Sequence, residues 1–381
     1  MKIKLKTLQA AGPLVKQIQF GKKGLLALTV ALSISMAPAA IGLPIGQAHA
    51  ESAAKLNVIK QPFVINGTNV VLPAANVEGS IYIGLRALND QLGLKTGWDP
   101  ETRTVTVEGR GRTMELSLNN EYLNEYVLNG QLIYGMEAIE QEGSTYLPLR
   151  FLLERMGYGI SYDAKSHTVG IQTIKENDLA ITTSAIEEED DYMSLLVHYP
   201  KLTGFANEEV QQQINTFLKK EAETHAQAGR SDLEQAVKGN EEIEAENPDY
   251  SMPPVIYDGT YTVTYNENNK LSLYVDYYMY TGGAHGMTAR VPYTFDLGTG
   301  ELITLKEAAQ GNANYVSIIN KAINSQIAAA DLPLLEPFES IEPDREFYLK
   351  HNGITIYFSQ YEYTPYAAGM PEFEIPFEAF K

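Results

Sequence analysis

The residues of this chain best placed to do chemistry are one histidine among glycines and a tyrosine-rich string. His285 lies in Tyr280-Thr281-Gly282-Gly283-Ala284-His285-Gly286, where three glycines permit backbone angles that other residues avoid. An imidazole there can face a ligand, accept a proton, or brace the turn through a hydrogen bond. A general base needs a nucleophile or carboxylate partner. The sequence pairs His285 with neither, so bracing the turn is its expected role. The second string runs from Tyr357 to Phe373, with Tyr361, Tyr363, Pro365 and Tyr366 at its centre. Tyrosine offers a large contact area at low entropic cost, which suits protein or sugar recognition. Strand propensity is the plainer explanation for any one of these tyrosines. The candidate ligand-binding set is therefore Tyr280, Gly282, Gly283, His285, Gly286, Tyr361, Tyr363, Pro365 and Tyr366. No catalytic residue, metal ligand or cofactor is assigned. His198, His225, His285 and His351 are scattered without ligand spacing. Gly-x-Ser-x-Gly, a phosphate loop and His-Glu-x-x-His do not occur.

Composition bounds where such a surface would work. The chain has 381 residues, no cysteine and a net charge of −19. It can build two ordinary cores but no disulfide or thiolate site. Its acidity disfavours nucleic acid and anionic lipid and favours cationic partners. The first 50 residues stand apart, with six lysines and no carboxylate; they end in an apolar run and Ala48-His49-Ala50. That is the pattern of a cleaved signal peptide over residues 1–50. Cleavage would shift the net charge from −19 to −25 and leave a product with no membrane segment. An uncleaved anchor helix is the alternative, weakened by Pro38 and Pro44.

The elements before the tyrosine-rich half are duplicated. Ser80-Ile81-Tyr82-Ile83-Gly84-Leu85-Arg86 recurs as Ser144-Thr145-Tyr146-Leu147-Pro148-Leu149-Arg150, an offset of 64 residues. Gly93, Trp98-Asp99 and Thr104-Val105 recur at the same offset as Gly157, Tyr162-Asp163 and Thr168-Val169. Each copy reads as strand, helix and hairpin, with the Asn66-Gly67 and Asn129-Gly130 pairs as hairpin turns. Gly93 and Gly157 are placed to end the helices in the left-handed conformation. Arg86 and Arg150 read as structural, pairing with a turn carboxylate, with a ligand role as the lesser alternative. This pattern resembles the copper amine oxidase N-terminal-like stalk domain over residues 58–174. The resemblance implies a spacer or adhesive module, not an activity. Copper needs clustered imidazoles, and the region contains only His167.

In the second half, Leu179–Thr183 and Tyr192–Tyr199 read as strands. A helix is expected from Asn207 to about Gln227, with Val210, Ile214, Phe217 and Leu218 inward. Gly229 to Pro254 reads as a long polar loop or a helix extension. Hairpins follow at Tyr261–Tyr278 and around Asn352-Gly353, and Asn314–Ala329 reads as a second helix. The expected class is α+β: a duplicated strand-helix-hairpin stalk domain, then an antiparallel sheet with two helices over residues 178–381. The segments Tyr199–Gly204, Tyr280–Gly286 and Tyr357–Phe373 resemble the extracellular domain of RsiV-type anti-sigma factors, which also occurs in PdaC-type peptidoglycan deacetylases. In that family the domain recognises lysozyme, so the resemblance implies a lysozyme or peptidoglycan partner. Only some 23 residues precede the apolar run, and no deacetylase His-x-x-x-His pattern occurs. The expected function is a secreted, non-catalytic envelope-binding protein, extracellular or wall-associated. A membrane-anchored stress sensor and a glycan-acting enzyme with paired carboxylates are the alternatives.

Overall fold

The computed structural model describes residues 56–118 and 125–381; the expected signal peptide lies outside them. The first copy of the repeat comprises β1 (Val58–Ile65), β2 (Thr68–Val77), β3 (Ser80–Gly84), α1 (Leu85–Leu92), β4 (Lys95–Asp99) and β5 (Thr104–Gly109). Strand β6 (Arg112–Ser117) follows. The second copy comprises β7 (Glu125–Leu128), β8 (Gln131–Tyr134), β9 (Ile139–Gln141), β10 (Ser144–Pro148), α2 (Leu149–Arg155), β11 (Tyr158–Asp163) and β12 (Thr168–Thr173).

The local signals act as expected. Both Asn-Gly pairs have positive φ at each residue, and they close the β1–β2 and β7–β8 hairpins. Gly93 at φ 67° and Gly157 at φ 83° stop the two helices. The copies meet through an antiparallel β3–β10 pair, where Ile83 faces its own equivalent, Leu147. A pseudo-twofold axis therefore passes through that pair. Each closing hairpin joins the other copy's opening strands: β11–β12 lies beside β1, and β4–β5 reaches β7 through β6. One core results, with Leu88 and Leu152, and Val105 and Val169, buried as equivalent pairs. The arginines depart from expectation. Arg150 pairs with Glu154 on its own helix at 2.7 Å, and Arg86 is exposed.

The C-terminal region begins with β13 (Ala180–Glu189), β14 (Met193–Thr203), α3 (Glu208–Glu246), β15 (Val255–Glu267), β16 (Lys270–Tyr280) and β17 (Met287–Asp296). These strands form one sheet in the order β13-β14-β15-β16-β17. The expectation of a purely antiparallel sheet needs correction, because β14 and β15 run parallel. A parallel pair needs a long crossover, and α3 supplies it. This helix runs well beyond the expected end near Gln227. Gly229 is a contact rather than a break, since a Cβ there would lie 2.6 Å from the Tyr257 ring. The apolar stripe resumes at Leu233 and Ala236.

The chain closes with α4 (Leu305–Ala308), α5 (Tyr315–Ala330), β18 (Tyr348–Lys350), β19 (Gly353–Tyr357) and β20 (Glu372–Pro376). Ile319 and Ile323 of α5 pack on Ile354, Ile356 and Ile375 of this small antiparallel sheet. The Asn352-Gly353 hairpin forms, but neither His351 nor Asn352 has positive φ. Gly353 is required instead because a Cβ would collide with the β20 backbone at Ile375. The class is α+β, as expected.

Buried bonds join the two regions. The Gln131 side chain donates to Tyr261 O at 2.8 Å and accepts from Tyr261 N at 3.1 Å. Thr183 donates to Asn129 O at 2.9 Å. Among the described residues, no helix is long and apolar enough to cross a membrane.

Candidate functional site

The fold brings the two candidate strings together at one end of the C-terminal sheet. One is the connection between β16 and β17; the other joins β19 to β20. Gly282, at φ 90°, faces the Met252 methyl group and Asn240, which holds the loop by donating to Thr281 O at 3.3 Å. Gly283 faces open space. Gly286 is forced by close approach: a Cβ would overlap the Tyr278 ring and sit 2.5 Å from Met279 O. Gly286→Ala is therefore expected to cost about 1–3 kcal/mol, the usual range for overpacking. A lowered urea midpoint would register it, and an unchanged midpoint would refute the constraint.

His285 Nδ1 lies 3.0 Å from Gly286 O, so this nitrogen carries the proton and braces the turn. Nε2 is left as an acceptor, 3.5 Å from the Tyr361 hydroxyl. The imidazole stacks on Tyr366 with ring centres 3.9 Å apart and planes at 23°. Tyr366 donates to Gly286 O at 3.0 Å, and Tyr361 lies 5.7 Å from Tyr366 between ring centres. The backbone is pinned as well, since Thr288 N donates to Gln360 Oε1 at 2.8 Å.

Tyr361 is held at φ 64°, a costly conformation for a bulky residue, yet its side chain is 48% exposed. The next residue fixes it. The Glu362 carboxylate accepts both terminal nitrogens of Arg345, and Ser359 N at 2.8 Å. Tyr363 turns the other way and packs against the core, tilted on Phe358 and edge-on to Phe338. Pro365 opens the short 3-10 turn Tyr366–Ala368. Tyr280 ends β16 opposite Ile256, outside the ring cluster. The cluster itself is thus His285, Tyr361 and Tyr366 on a glycine-shaped base.

Beside it, Leu196, Asp258, Tyr278 and Thr288 form one row across β14 to β17. Burial raises the Asp258 carboxyl to about 6. On the same sheet face, two residues further along the strands, lies a network that sequence reasoning missed. The buried Arg290 guanidinium donates twice to Asp276 and once to Glu372, each at 2.8 Å. It also lies 3.8 Å from the Tyr274 ring centre. Lys350 donates to Glu372 at 2.8 Å. Burial alone would raise Glu372, but Lys350 and Arg290 outweigh it and hold the carboxyl down to about 2. The available signal was Asp276, a lone charge inside Tyr274-Val275-Asp276-Tyr277-Tyr278.

An exposed stack of flat rings with a fixed acceptor nitrogen suits contact with sugar faces or with apolar and cationic side chains. His285 has no carboxylate hydrogen-bonded to it among the described residues.

Three regions match known families. Residues 64–179 match the copper amine oxidase N-terminal domain. Residues 186–288 match the deacetylase PdaC family, and residues 307–378 match a protein family of unknown function, DUF3298. A curated relative, anti-sigma-V factor RsiV of Bacillus subtilis (strain 168), is 27% identical over 229 residues, covering 57% of this chain and 74% of the relative. The resemblances read from the sequence are thus borne out, and the C-terminal half is anti-sigma-factor-like. Two solved DUF3298 structures cover 54% of this chain and 93% of their own. That from Bacteroides fragilis is 21% identical with a TM-score of 0.42. That from Pseudomonas aeruginosa is 19% identical with a TM-score of 0.36. The ring cluster draws His285 from the first C-terminal match, and Tyr361 and Tyr366 from the second.

Proposed function

We propose that this protein is an exported cell-envelope binding protein whose ring cluster captures lysozyme or peptidoglycan without catalysing a reaction. The supporting observation is the convergence of two distant strings on one exposed aromatic surface, held by a strained tyrosine and close-packed glycines. The RsiV-type resemblance points to lysozyme. The net charge of −19 favours a cationic partner by steering and rim complementarity.

Calorimetric titration of the chain with hen-type lysozyme at two salt concentrations tests this reading. Salt-sensitive binding at a definite stoichiometry is expected. Tyr366→Ala should weaken it about tenfold or more, as for a central aromatic anchor. Binding indifferent to Tyr366, or absent for both lysozyme and peptidoglycan fragments, would overturn the reading.

The anti-sigma-factor likeness favours a second reading, in which capture is the input of an anchored sensor. N-terminal sequencing of the native protein separates the two. A start near Glu51 supports release, whereas retention of residues 1–50 supports the anchor.

A further inference from the structure

Away from the ring cluster, the junction of the repeat and C-terminal regions encloses a cleft of about 100 Å³. Its charged lining is Arg110, Arg112, Arg155 and Glu176. Three guanidiniums against one carboxylate make an electropositive spot on a strongly acidic chain.

The carboxylate is already used. Glu176 takes a forked pair from Arg112, at 2.6 and 2.9 Å, and one donor of Arg110 at 3.0 Å. Arg110 also donates to Ile174 O at 2.6 Å. Arg155 is not hydrogen-bonded to Glu176. Its Nη1 reaches only its own helix, at Phe151 O, and its guanidinium lies 4.0 Å from the Phe151 ring centre. The Nε atoms of Arg110 and Arg155 are both buried with no hydrogen-bond partner. Buried donors are normally satisfied. Both residues line this cleft, and Arg155 spends no hydrogen bond on a carboxylate, so the cleft wall carries cationic donors in excess of its anions. The cleft far exceeds the space of a single water.

We propose that this cleft is a site for a compact oxyanion, a phosphate or carboxylate group, bound by Arg110 and Arg155 while Arg112 and Glu176 hold its wall. Guanidinium forks match the oxygen spacing of both groups. The ligand would sit at the junction, held by two arginines of the repeat region. This site is independent of the ring cluster and of lysozyme capture.

The test is thermal unfolding of the chain in inorganic phosphate, in acetate and in chloride at matched ionic strength. At roughly tenfold excess over its Kd, a bound anion should raise Tm by about 3 °C over chloride. Arg155→Met removes the guanidinium that plays no part in the Glu176 pair and keeps the stem over Phe151. It should abolish the shift with little change in the chloride Tm, and Arg155→Lys should restore only part. A shift in phosphate alone marks a phosphate site, and one in both anions a general oxyanion site. Equal Tm values in all three salts, or a shift that survives in both Arg155 variants, would overturn the proposal and leave a solvent-filled cleft.

Discussion

Arg290→Met is expected to lower the unfolding free energy by about 2–3 kcal/mol, because it strips a buried cation from two partly exposed carboxylates at once. Asp276 would lose both of its charge-assisted bonds, and Glu372 would keep only Lys350. The stack over Tyr274 would go too. Methionine fills much of the space, so the loss reports charge and hydrogen bonds rather than a cavity. Arg290→Lys keeps the charge but not the fork, and should fall between native and methionine. Urea midpoints give the order directly. The network also joins β17 to β20, the strands that flank the two recognition loops. Ring stacking, and with it the contact surface, should weaken in the same order. A methionine variant within about 1 kcal/mol of native, below that cost, would show that the sheet does not depend on Arg290.

Local rules made much of this fold legible. The offset of 64 residues gave both helices and both left-handed glycines, and the Asn-Gly hairpins recur with one residue of slippage, at 63. What it could not give is the exchange of closing hairpins between copies, because strand partnership is not encoded in spacing. Helix α3 shows a sharper limit. Gly229 looks like a stop in one dimension; only the Tyr257 ring across the helix–sheet interface explains it. The parallel β14–β15 pair is hidden for the same reason: residues 229–254 read as either a loop or a helix extension, and the extension that forms is the crossover. At the site, both strings were visible as irregular sequence. The inward turn of Tyr363 depends on Glu362 being clamped by Arg345, a contact 17 residues away in sequence. Arg290 is not legible in sequence, because an arginine in a half-buried strand looks like a solvated one until its cross-strand partner is known.

The buried His225 and the half-buried Asp258 should pull stability in opposite directions between pH 4 and 6.5, and Asp258→Asn should separate them. His225 stacks on Tyr277 at 4.2 Å, and burial lowers its imidazole to about 4. The unfolded imidazole takes up a proton below about 6.5 while the folded one stays neutral. Stability is therefore lost as pH falls from 6.5 towards 4, by about 3 kcal/mol in all. Asp258 has the reverse sign. Its folded carboxyl keeps a proton up to about 6, whereas the unfolded one ionises near 3.9. Its contribution is fully present below the unfolded value and is lost as pH rises through 6, a change of about 2–3 kcal/mol. In the native protein the two largely cancel. Asp258→Asn removes only the second, so it should be more stable than native at pH 7 by about 2–3 kcal/mol and equal to it near pH 4. Its urea midpoint should fall steeply on acidification where the native one stays nearly level. His225→Phe should show the mirror image and gain stability towards pH 4. His198, lowered by burial, acts in the sense of His225, and Glu346 and Asp232, raised by burial, act in the sense of Asp258. These groups are common to native and variant, so the difference between paired profiles isolates the substituted side chain. Parallel native and Asp258→Asn profiles from pH 4 to 7 would mean that this carboxylate is solvated in the folded chain and that the row beside Tyr278 is open to water.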